Sequence, residues 1–157
     1  MVDNLTYQVE KYSDTLPDMK PLYNDHWLEL GTNHDVIKLN MDYKRYEALD
    51  AAGVLHLVTV RNHGELIGYY LSIIMPHLHY ADVLTSFGDI MYLKKQYRRG
   101  FSGVRLLKFA EESLRAIGVK WIFSGSKLHF EEGRLGKVLE LLGYKAREVQ
   151  YTKYLGG

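Results

Sequence analysis

The stretch GDIMYLKKQYRRGFSGVRLL, from Gly88 to Leu107, gathers the residues whose types and spacing could capture an anion. Six cations (Lys94, Lys95, Arg98, Arg99, Arg105 and Lys108) fall between Ile90 and Ala110 with no Asp or Glu among them, although the whole chain carries a formal charge of only +1. A helix opening near Gly103 or Val104 leaves its first amides without intrahelical acceptors, and its dipole makes that end electropositive. Gly100 and Gly103 let the backbone turn sharply and approach a ligand, while Arg98 and Arg99 offer charge-assisted hydrogen bonds. The chemistry this suits is the binding of a phosphate or diphosphate. A solvated basic loop feeding a helix accounts for the same residues, so the turn alone does not decide.

The chain of 157 residues with 46% hydrophobic content fits one domain with its own core, expected to span residues 1–157. No apolar run is long enough for a membrane span, and the start MVDNLTYQVEKYSD lacks a basic segment followed by an apolar core, so a cytoplasmic protein is expected. The absence of cysteine excludes disulfides, thiolate metal sites and a catalytic thiol. Near-neutral charge argues against a nucleic-acid binder working through the Lys94–Lys108 patch. Among the seven histidines, His77 and His79 with Asp82 could share one strand face, but no third ligand on a rigid scaffold is evident and no metal is expected. Thirteen tyrosines are the compositional oddity, read as amphipathic residues at element edges or as pocket walls.

These residues need elements to hold them. The pattern predicts a strand over Tyr7–Tyr12, a helix within Thr15–Gly31 behind Pro17 and Pro21, and a helix over Tyr43–Ala52. A hairpin follows, Val54–Arg61 and Leu66–Met75 joined by Asn62–Glu65, with Pro76 ending its second strand. His77–Phe87 reads as a loop or an edge, and Asp89–Leu93 as a central strand. Val104, Leu107, Ala110, Leu114 and Ile117 recur at helical spacing before Gly118. Lys120–Ser124 reads as a short buried strand, Phe130–Leu142 as a helix stopped by Gly143, and Lys145–Tyr154 as a last strand. The expected fold class is α/β: a mixed, mostly antiparallel central sheet with helices on both faces.

That order resembles the GNAT superfamily of acyl-CoA-dependent N-acyltransferases over nearly the whole chain. DIMYLKKQYRRGFSGVRLL is similar to the family's strand, diphosphate loop and helix, and LELLGYK to its closing helix. The resemblance places the loop's opening Arg on Arg98 and its final small residue on Gly103, but Phe101 stands where the family usually has Gly, with a glycine one place earlier at Gly100. It implies acetyl-CoA as cosubstrate, held by Met91, Tyr92 and Leu93 pairing with the pantetheine arm and by Arg98, Arg99, Gly100, Phe101, Ser102, Gly103 and Val104 at the diphosphate. It implies Asp89 as general base toward an amine acceptor. An ordinary carboxylate is a weak base, so that role asks for burial or a relaying water. Where the family often has a Tyr to protonate the leaving sulfur this chain has Leu139; Tyr144 is taken as the candidate, with Tyr97 and His129 as alternatives. The acceptor pocket would involve the first two helices, with Asp25, Glu29, Asp35 and Asp42 as acids and Trp27, Tyr46 and Tyr80 as walls. The expected activity is N-acetyl transfer to a primary amine of a small molecule or protein by direct attack in a ternary complex. The competing reading is a non-catalytic CoA-binding or protein-interaction module. A homodimer is left open.

Overall fold

The computed structural model describes residues 4–157, which fall into two compact units, one ending at Gly125 and one running from Ser126 to Gly157. In the first unit the order is β1 (Leu5–Glu10), α1 (Tyr12–Leu30), α2 (Tyr43–Ala51), β2 (Leu55–Asn62), β3 (Glu65–His77), β4 (Tyr80–Leu93), a 3-10 turn (Lys95–Tyr97), α3 (Ser102–Ala116) and β5 (Trp121–Phe123). The five strands lie side by side in sequence order, antiparallel except for the parallel pair β4–β5. The second unit holds a 3-10 turn (Glu131–Gly133) and α4 (Arg134–Leu141).

The β2–β3 hairpin forms where the turn residues demand it. Asn62 pairs with Glu65, and both loop residues, His63 and Gly64, take positive φ (48° and 85°), the geometry that matches the twist of the flanking strands. Alternate residues of these strands serve opposite faces. Leu57, Tyr69 and Leu71 pack with Tyr12, Leu16, Met19, Leu22 and Tyr23 of α1. His56, between Leu55 and Leu57, meets Ser113 of α3 from the other side. Helices therefore cover both faces of the sheet, and α3 buries Leu106, Leu107, Ala110 and Leu114.

Several elements differ from the sequence pattern. α1 begins at Tyr12, before both prolines, and contains Pro17 and Pro21. Each interior proline costs about 3 kcal/mol, yet burying five large side chains contributes about 1.5–3 kcal/mol each and outweighs both. Pro76 does not end β3: it pairs opposite Leu84, and His77–Phe87 is mostly strand, because β3 and β4 form one long hairpin turning at Leu78–His79. β5 is an edge strand with Trp121 43% exposed, not a buried one. Residues 145–157 have no strand, and Val149, Tyr151 and Leu155 are exposed. Period-two alternation marks an extended segment but carries no information on whether an edge exists to pair with it. The α4 helix is also shorter than expected, its first turn being 3-10, although Gly143 (φ 92°) stops it as the pattern implies.

Candidate functional site

The strands β4 and β5 part company in mid-course. They pair only through Thr85–Phe87 and Trp121–Phe123, while β4 runs on to Leu93 against β3. Among the described residues no strand lies along the second edge of β4 beyond Phe87, which leaves a fork whose wall is the backbone of residues 88–93. The register of β4 against β3 slips at the same place: Ser72 faces Gly88 and Leu71 faces Ile90, so Asp89 is the extra residue of a bulge. Gly88 fits a tight place there: a Cβ would come within 3.1 Å of the Tyr70 hydroxyl and 3.3 Å of the Phe123 carbonyl, so a larger residue asks both to give way. Tyr70 in turn lies 3.0 Å from the Ser124 hydroxyl at the end of β5.

Asp89 is solvent-exposed and accepts a 2.5 Å hydrogen bond from the Tyr46 hydroxyl of α2. The Tyr46 ring is stacked on Tyr12, 5.2 Å between centroids, and the Tyr12 hydroxyl meets that of Tyr23 at 3.2 Å. Burial first, then the neighbouring Asp89 carboxylate, push the Tyr46 phenol above its ordinary range, so it keeps its proton and acts as donor. Tyr12, Tyr23 and Tyr69 form the heart of the α1 core, and Tyr69 is 3.0 Å from His26 Nδ1. Five of the thirteen tyrosines are buried, and four of those, Tyr12, Tyr23, Tyr69 and Tyr92, pack together in this core.

At the end of β4, Tyr92 and Leu93 are buried and Met91 is half-buried. The basic turn then passes through the 3-10 segment to Gly100, whose φ of 72° is left-handed, and to Phe101, which precedes α3 with its side chain 71% exposed and makes no side-chain cap. The first helical bond runs from the Arg105 amide to the Phe101 carbonyl at 2.8 Å, so the amides of Ser102, Gly103 and Val104 open the helix without acceptors from within it. A Cβ at Gly103 would meet nothing within 4 Å. Arg99 is exposed at the turn. Arg98 is engaged elsewhere: its Nε donates to the Leu93 carbonyl at 2.7 Å, its guanidinium pairs with Glu29 of α1, and it lies over the Tyr92 ring. Arg98 therefore braces the end of β4 against α1. Beside this brace a cleft of about 500 Å³ is lined by Asp25, Leu28, Glu29, Tyr92 and Lys94–Gln96.

The structure brings Asp89, Met91–Leu93 and the Arg98–Val104 turn into one unit, whereas Tyr144 belongs to the second, half-buried with its amide bonded to the Leu139 carbonyl. His129 is exposed in that second unit, and the Tyr97 hydroxyl accepts from Asn62 Nδ2 at 3.0 Å, tying the turn to the β2–β3 hairpin. Among the described residues no three His, Asp or Glu side chains converge as metal ligands. His77 instead accepts from the His79 amide and stacks on Trp121 and Phe123. The Tyr46–Asp89, Arg98–Glu29 and Tyr70–Ser124 contacts join residues 43, 69 and 54 positions apart, and no local pattern announces them.

No family model matches the sequence, and no curated protein is significantly similar to it. Solved structures are similar in fold. An aminoglycoside acetyltransferase from an uncultured soil metagenomic sample superposes with a TM-score of 0.77 at 12% identity, covering 98% of this chain and 99% of its own. A ribosomal-protein-alanine N-acetyltransferase from Brucella melitensis biovar Abortus 2308 gives 0.70 at 16% identity, over 97% and 99% of the two chains. A predicted acetyltransferase from Clostridium acetobutylicum, solved with acetyl-CoA, gives 0.70 at 14% identity over 96% of each chain.

Proposed function

We propose that this chain, which has the GNAT fold, is an N-acetyltransferase that moves an acetyl group from acetyl-CoA to a primary amine of a small molecule or protein by direct attack in a ternary complex. The observation that carries the reading is the fork: an unpaired β4 edge that leads straight to the free amides at the start of α3. The backbone of Met91, Tyr92 and Leu93 pairs with the pantetheine arm as an added strand would. The backbone of Gly100–Val104 and the Arg99 side chain hold the diphosphate, with Arg98 bracing the loop. Acetyl-CoA supplies an activated thioester, and the β4 amides donate to its carbonyl oxygen as charge builds there. Asp89, exposed and held in place by Tyr46, accepts through a relaying water the proton that the attacking amine must shed.

Among the described residues no helix is long and apolar enough to cross a membrane, and a cytoplasmic enzyme, alone or as a homodimer, fits the reading. The test is thermal unfolding with acetyl-CoA, CoA and ATP, followed by thiol release over a panel of amines that includes aminoglycosides, amino sugars and peptides with a free N-terminus. A ligand that binds only the folded state raises the midpoint, so a rise with acetyl-CoA and CoA that ATP does not match, together with thiol release, supports the enzyme. Binding without release for any amine favours the non-catalytic module. No response to either CoA species overturns the reading.

A further inference from the structure

At the apex of the fork, where β5 leaves β4, three hydroxyls are gathered beneath Gly88. Tyr70 from β3 is 4% exposed and lies 3.0 Å from Ser124 Oγ. Ser86 of β4 is fully buried, and its hydroxyl lies close enough to the Tyr70 phenol to favour its ionised form as a hydrogen-bond donor would. Ser124, the residue after β5, is half-buried and sits at the parting of the strands. Burial is the main force on the Tyr70 phenol and pushes its pKa up, so the phenol stays protonated. Either hydroxyl can donate across the 3.0 Å contact; in the arrangement where the phenol gives its hydrogen to Ser124 Oγ, the serine's own hydrogen can turn toward the fork.

Resting on the acyl-transfer reading, we propose that Ser124 is the hydrogen-bond donor to the sulfur of the thioester in this chain, and that Tyr70 is the positioning residue that fixes its direction. In the step served, the amine nitrogen forms a bond to the acetyl carbon and its proton passes to Asp89. The carbon–sulfur bond breaks, and the electron pair leaves on sulfur. Ser124 stabilises that negative charge without giving up its proton, and the thiolate takes one from water on release. The arrangement supplies, from β3 and β5, the service for which the closing helix offers only Leu139 at the matching position.

The test reads binding as well as rate. The affinities of CoA and desulfo-CoA are compared at pH 9, where a good fraction of the thiol is ionised, for the wild type, Ser124→Ala, Ser124→Thr and Tyr70→Phe. A hydrogen bond to a charged group predicts that the wild type prefers CoA by about tenfold or more. Ser124→Ala should erase the preference while binding desulfo-CoA like the wild type, and Ser124→Thr should restore it. The kcat for acetyl-CoA should fall about tenfold in Ser124→Ala with KM held. The Tyr70→Phe, Ser124→Ala pair together should lose no more than Ser124→Ala alone, as residues acting as one unit do. Equal wild-type affinity for CoA and desulfo-CoA in an enzyme that still turns over overturns this inference and leaves the acyl-transfer reading standing. Failure of the wild type to bind CoA at all overturns both.

Discussion

His56 makes the stability of this fold sensitive to mild acid. It lies on β2, 5% exposed, with Nε2 3.0 Å from Ser113 Oγ of α3. The serine also reaches the Ala110 carbonyl at 3.1 Å, so it can spend its hydrogen there while Nε2–H donates to it. Nδ1 is buried without a partner, and a second proton would have nothing to bond. Burial lowers the His56 pKa from 6.5 to about 4. Between those values the native state binds fewer protons than the unfolded chain. The stabilisation from a neutral His56 is therefore complete above pH 6.5 and is lost as pH falls toward 4. The full loss is about 3 kcal/mol, of which about 2 kcal/mol falls between pH 7 and pH 5. For a chain of this length that corresponds to a drop in Tm of about 4–8 °C. Glu10, held below its ordinary range by Arg61 against the opposing effect of burial, loses its contribution only below its unfolded pKa of 4.5, outside this window. The assay is urea unfolding at pH 7 and pH 5 for the wild type and His56→Gln, whose neutral amide cannot charge. Wild type should lose about 2 kcal/mol more than the variant over that interval. Equal losses in the two proteins would refute the argument.

Three further outcomes concern the site. Gly103→Ala should leave CoA binding nearly intact, since its Cβ meets nothing, whereas Gly103→Glu sets a carboxylate beside the diphosphate and should weaken binding tenfold or more by calorimetry. Asp89→Asn should keep the CoA-induced midpoint shift and slow turnover by about a hundredfold or more, and unchanged turnover would remove Asp89 from the mechanism. Gly100→Ala, at φ 72°, should lower stability by about 1 kcal/mol or more and loosen CoA binding, seen as paired losses in Tm and affinity.

The elements with strong local signals were legible. The Asn62–Glu65 turn carried its own geometry, and α3 announced itself through Leu107, Ala110, Leu114 and the Gly118 stop, where φ is 92°. Ile117 misled only because the helix ends one residue before it, leaving it 53% exposed. What could not be seen depends on partners distant in the chain. Prolines in α1 and at position 76 read as stops because their local cost is plain, while the burial and pairing that outweigh it come from strands elsewhere. The bulge is of the same kind: Asp89 is an ordinary acid in the sequence, and only the slip between Leu71 and Ser72 turns it toward Tyr46.

The loop shows how a displaced glycine can leave the same end result. Phe101 stands where a glycine was expected, yet it does not have to turn: its φ is −107° and its ring projects into solvent. The left-handed step is taken one residue earlier by Gly100. What the helix start then needs is a chain that arrives from β4 along a fixed path, and that is what Arg98 provides by holding the Leu93 carbonyl and Glu29 together. Its half-buried pairing to α1 makes it a poor candidate for reaching outward to a ligand and a good one for setting where the amides of Ser102–Val104 point. The arginine and glycines of the segment thus divide the work differently from the simplest reading of their spacing: under the proposed function the backbone amides are the groups that meet the diphosphate, and the guanidinium of Arg98 stands behind them.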